Sequence, residues 1–107
     1  MTNLAATTDR IHVLLDGIER GEYPDRPRLE ETLTDGYACA LTLDAECRRL
    51  ERCISVGAER LAHGNGDDEA RKLSALARSL TRRRGELDSL RNLLAVLKSG
   101  AREPKVA

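Results

Sequence analysis

The sequence has no tryptophan and no phenylalanine, and its only aromatic side chains are Tyr23 and Tyr37. Aromatic rings supply much of the bulk of a thick globular core. Without them, an apolar set made mostly of Leu and Ala can build only a thin interior, such as a coiled-coil seam. Net charge is also missing, because 18 basic side chains balance 18 acidic ones. Phosphate binding usually shows as a basic excess, so this balance speaks against nucleic acid as the main partner. No stretch approaches the roughly 18 uninterrupted apolar residues of a membrane helix. The first ten residues, MTNLAATTDR, lack the basic and apolar regions of a secretory signal, so none is expected. The cysteines number three, too few and too odd for a self-contained disulfide framework, and a reducing, cytoplasmic setting is expected.

Chemistry-bearing motifs are absent as well. There is no Gly-rich phosphate loop, G-x-S-x-G, H-E-x-x-H or Cys–His couple, so no enzyme is expected. Cys39, Cys47 and Cys53 fall on one expected helix, about 12 and 9 Å apart along its axis. One tetrahedral zinc needs its sulfurs far closer than that. The histidines are His12 and His63 alone, and the paired Glu-x-x-His motifs of di-iron bundles are not found. Neither a metal nor a cofactor is expected.

What the chain does have is heptad order. One row sets Leu33, Ala40, Cys47, Ile54 and Leu61 seven apart, with Leu29, Gly36, Leu43, Leu50 and Gly57 between them. A second row sets Leu73, Leu80, Leu87 and Leu94 seven apart, with Leu76, Arg83, Leu90 and Leu97 between them. His63-Gly64-Asn65-Gly66 separates the rows. Glycine and asparagine tolerate left-handed backbone angles, so the chain is expected to reverse there. Folding one row on the other gives the layers Leu33–Leu97, Gly36–Leu94, Ala40–Leu90, Leu43–Leu87, Cys47–Arg83, Leu50–Leu80, Ile54–Leu76 and Gly57–Leu73. The two numbers in every layer have the same sum, which centres the turn on Asn65. Gly36, Ala40 and Gly57 each oppose a leucine, as interdigitating layers require.

The expected fold is therefore all-α: a long antiparallel two-helix coiled-coil hairpin with a short N-terminal helix packed on its base. A single helical domain, 1–107, holds helices over about 8–20, 27–63 and 67–99 and a flexible tail, 101–107. Thr8 is the expected cap of the first helix, Asp25 or Arg26 of the second and Asp67 of the third. Ile11, Leu14, Leu15 and Ile18 form the apolar face of the first helix, and Gly21 stops it. Tyr37, Leu41, Leu93 and Val96 lie outside the two-helix seam, and the first helix is expected to roof them.

A seam of only two helices leaves each leucine partly wet. Self-association is the expected remedy, most simply a homodimer whose hairpins form a four-helix bundle. The expected role is a non-catalytic protein–protein interaction module, an adaptor or regulator with a further protein partner. Its interface residues would be Leu43, Cys47, Leu50, Ile54, Leu76, Leu80, Arg83 and Leu87. Cys39 and Cys53 fall on one side of the seam and are candidates to face a partner helix. Gly85 lies off the seam and is a candidate kink or contact point. Arg83 can specify register by pairing with Asp44 or Glu46, and Arg84 is placed to reach Asp44. The alternative role is a nucleic-acid-associated regulator using the Arg-rich third helix, with Arg78, Arg82 and Arg84 as phosphate contacts. From Gly64 onward ten basic side chains face six acidic ones, which is what keeps that alternative open.

Overall fold

The computed structural model describes residues 3–64 and 66–101. They form an all-α hairpin of three helices, α1 (Leu4–Glu19), α2 (Arg26–Ala62) and α3 (Gly66–Gly100). Tertiary contacts group into a terminal unit, Met1–Leu41 with Asp88–Ala107, and a central unit, Thr42–Leu87. The expected turn centre, Asn65, and the tail from residue 102 lie outside the described residues.

Both ends of α1 and both ends of α2 have a chemical cause. The start of α1 is a correction to the expected Thr8, because Asn3 caps it instead. The Asn3 carboxamide oxygen accepts the backbone N–H of Ala5 at 3.0 Å and of Ala6 at 3.4 Å. Ala5 and Ala6 are strong helix formers, so the helix gains a turn before the two threonines. At the other end Gly21 adopts φ +80. Its N–H donates to the Ile18 carbonyl at 2.9 Å, and that of Glu22 to the Gly17 carbonyl at 2.8 Å. This pair of bonds is a Schellman motif, and the left-handed angle it needs is the reason for glycine. Asp25 caps α2, its carboxylate accepting the Arg28 N–H at 3.3 Å. Gly64, at φ +90, donates to the Leu61 carbonyl at 3.0 Å just beyond the end of α2. Because α3 begins at Gly66, Asp67 is not its cap. Asp67, Asp68 and Glu69 instead fill its first turn, where negative charge suits the helix dipole.

In the terminal unit, Ile11 and Leu14 of α1, Cys39 and Ala40 of α2, and Leu90, Leu94 and Leu97 of α3 are buried. Gly36 and Leu94 meet in the expected layer. The buried face of α1 extends one turn beyond its expected apolar residues, to Thr7, which is polar yet 1% exposed. The side of α2 that α1 covers is also a correction. Cys39 lies 3.8 Å from the Thr7 hydroxyl, and Arg10 bonds Asp35 at 2.6 Å. Thr7, Thr32 and Cys39 are small, so α1 can approach α2 closely along that line. Tyr37, Leu41 and Val96 are not roofed and remain exposed, and Leu93 is half-buried.

In the central unit, Leu43, Cys47, Leu50, Leu80 and Leu87 are buried. Cys47, Leu50 and Leu80 form one cluster, against which Ile54 and Leu76 pack half-buried. Gly57 faces Leu73, its expected layer partner. Toward the Gly64 end the seam thins, and Leu61 is exposed. Among the described residues, no helix is long and apolar enough to cross a membrane.

Candidate interaction surfaces

The eight residues expected at an interface all sit along the facing sides of α2 and α3 in the central unit. Leu43, Cys47, Leu50, Leu80 and Leu87 are consumed in holding the two helices together, while Ile54, Leu76 and Arg83 keep part of their surface. Arg83 behaves as a seam arginine should. Its stem covers the seam, and its head reaches Glu46 across the hairpin at 3.0 Å and Glu86 on its own helix at 2.9 Å. The Glu86 hydrogen bond, followed by the charge of Glu46, holds the guanidinium even more firmly protonated than usual. A bridge of this kind fixes the register of α3 against α2.

Arg84 does not fulfil its expected role. It reaches Glu51 at 2.7 Å rather than Asp44, which bonds Arg48 at 3.1 Å. The three arginines considered for phosphate contact are thereby divided. Arg84 is engaged by a carboxylate, whereas Arg78 and Arg82 are exposed and meet no carboxylate among the described residues. Gly85 lies within continuous α3, and a Cβ there would touch nothing within 4 Å.

The thiols fall into two environments. Cys39 and Cys47 are each 4% exposed, and Cys53 is half-buried. The helix that Cys39 faces is α1 of its own chain. Burial raises the Cys47 pKa, with the positive charge of Arg84 opposing that rise. Two results are expected. In dilute protein, a thiol reagent modifies Cys53 rapidly, and Cys39 and Cys47 only on unfolding. Stability also declines with alkaline pH. The folded chain keeps Cys47 as a thiol, whereas the unfolded chain ionises it at about pH 8.5. That contribution is complete below the unfolded pKa and is lost as pH climbs through the raised folded value. Melting temperature measured against pH should therefore fall less steeply on the alkaline side in Cys47→Ala than in the parent. Equal slopes would count against it. Among the described residues, no three of His, Cys, Asp and Glu gather as a metal site.

Beyond the seam, three surface features bring apolar side chains to the surface. A groove of about 470 Å³ in the terminal unit has Tyr37, Ala40, Leu41, Leu94 and Ala95 along it and Arg91 and Lys98 beside it. A second, of about 360 Å³ in the central unit, has Cys53, Val56 and Leu76 among its apolar lining and Arg52, Arg60 and Lys72 among its charges. The third is the outer face of α1, where Val13 is 55% exposed. Beside Val13 lies a groove of about 320 Å³ that Tyr23, Pro24 and Arg28 also line. No protein-family model matches this chain, and no curated protein or solved structure is significantly similar to it.

Proposed function

We propose that this protein is a non-catalytic interaction module that associates with a second copy of itself through its helical hairpin and serves as an adaptor or regulator. The observation that carries the reading is the central unit. There two helices pack without a third, Ile54, Leu73 and Leu76 stay half-buried, and Val56 and Leu61 are exposed. Helices with an apolar stripe reach full burial by packing in groups of three or four, and a two-fold dimer is the simplest way to supply the missing layers. Three free thiols, two of them buried, suit a reducing compartment, and we place the module in the cytoplasm on that ground.

The test is molar mass by light scattering behind gel filtration, with melting temperature measured over a dilution series. The expected result is twice the chain mass at tens of micromolar and a melting temperature that rises with concentration, since association stabilises by mass action. A single chain mass throughout, with a constant melting temperature, contradicts the reading. The second reading, a nucleic-acid-associated regulator, draws on the exposed Arg78 and Arg82. A mobility shift that weakens steeply with salt and disappears in the Arg78→Ala/Arg82→Ala variant would favour it instead.

A further inference from the structure

Two helix faces of this chain, one in each unit, carry a similar arrangement of one valine between two charges, with opposite sign. On α1, Asp9 and Asp16 stand seven residues apart with Val13 between them, and all three are exposed. On α2, Arg52 and Arg60 stand eight residues apart with Val56 midway, and again all three are exposed. At ~1.5 Å per residue the two charge pairs span about 10 and 12 Å, so one can lie along the other. Neither aspartate meets a cation among the described residues, because Arg10 bonds Asp35 and Arg20 bonds Glu22. Arg52 and Arg60 likewise meet no carboxylate among the described residues, nor does Lys72, the third cation of their groove. Glu69 is the one acid along that groove. The imbalance extends to the units as wholes. Residues 42–87 hold ten basic and eight acidic side chains, and the rest of the chain holds eight basic and ten acidic, so each unit attracts the other unit of a second molecule.

Resting on the self-association proposed above, we infer that the outer face of α1 docks into the central-unit groove of a second copy of this chain. Val13 enters between Cys53, Val56 and Leu76, while Asp9 and Asp16 meet Arg52 and Arg60. The inner face of α1 is already buried, with Ile11 and Leu14 in its own terminal unit, so the outer face is what it can offer. Each molecule carries one such face and one such groove. A two-fold dimer therefore makes the contact twice, and both sets of charges are neutralised. The charges steer and orient the encounter, and covering Val13 and Val56 together supplies the apolar contact.

A charge exchange tests this with full-length protein. Asp9→Lys/Asp16→Lys and Arg52→Glu/Arg60→Glu are prepared separately and checked for parental helicity by circular dichroism. Each alone is expected to run at one chain mass in light scattering, since like charges then face each other. Their equimolar mixture is expected to recover twice the chain mass, because both contacts in the mixed dimer become attractive. Val13→Ser, which changes no charge, is expected to raise the dimer dissociation constant by at least about tenfold and carries the test if a charge variant loses helix. Modification of Cys53 should also slow as parental protein is concentrated. If the parent is a dimer and the charge variants remain dimers alone, or stay monomeric when mixed, the docking is wrong and self-association stands. A parent that is monomeric at every concentration overturns both.

Discussion

Leu80→Asp is expected to unfold the central unit or to lower its melting temperature by on the order of 15 °C. Leu80 is 8% exposed and packs with Cys47 and Leu50, with Ile54 and Leu76 against the same cluster. Removing a buried leucine side chain alone costs about 2–5 kcal/mol. A carboxylate at that position must also be desolvated or protonated, and each route adds to the loss. Against a typical domain stability of about 5–15 kcal/mol, the sum takes a large share. Leu41→Asp is the matched control. It makes the same chemical change at a residue that is 73% exposed, where surface substitutions usually stay within about 0.5 kcal/mol. Thermal unfolding by circular dichroism reads both variants. Equal melting temperatures would remove the physical basis of the seam.

Gly36→Leu is expected to destabilise the terminal unit even though leucine is by far the better helix former. A Cβ at position 36 would stand 3.3 Å from Leu94 Cγ, with one Leu94 methyl group closer still. Leu94 is 2% exposed and cannot swing aside. The gain in helix propensity is about 1 kcal/mol, whereas forcing extra atoms into a filled layer costs about 1–3 kcal/mol for small additions and more for a whole side chain. The net loss should be about 2 kcal/mol or greater. Gly85→Ala should move the other way, by up to about 1 kcal/mol, because its Cβ would meet nothing. Gly57 is intermediate. A Cβ there would stand 2.7 Å from a Leu73 methyl, but Leu73 is only half-buried and has room to move. Chemical denaturation of the variants should rank them Gly85→Ala, then parent, then Gly36→Leu. Stabilisation by Gly36→Leu would mean the layer is not filled.

The hairpin was legible in the chain because its information is periodic. Gly36 against Leu94 and Gly57 against Leu73 follow from the constant sum of layer numbers, and the structure places both pairs together. Helix ends were legible where one residue alone supplies the geometry, as Gly21 does with its positive φ. They were missed where a side chain had to be chosen among neighbours, as with Asn3 over Thr8. The docking of α1 was missed for a related reason. Tyr37 and Leu41 look like the surface to cover, since they are larger and more apolar than Thr7, Thr32 or Cys39. Close approach and the Arg10–Asp35 bond favour the small residues, and hydrophobicity read along a single helix cannot weigh that.

The charge network divides along the same line. That Arg83 would cross the seam to Asp44 or Glu46 followed from its heptad position, since a seam arginine has few places to put its head, and the fold selects Glu46. That Arg84 would take Glu51, leaving Arg78 and Arg82 without it, depends on a distance of a few ångströms between two helices. The complementary faces of α1 and α2 were present in the sequence all along. Only after Arg10, Arg20, Arg48 and Arg84 are assigned to their carboxylates does it emerge which charges remain to meet another molecule.

By itself, then, the sequence determined the all-helical class, the pairing of α2 with α3 and the register between them, because heptad spacing and backbone-permissive glycines act locally and repeat. Only the tertiary structure decided which side of α2 receives α1, which leucines are spent in the seam and which charges are left over. Those outcomes depend on side-chain size and reach across helices, quantities that exist only once the chain is folded.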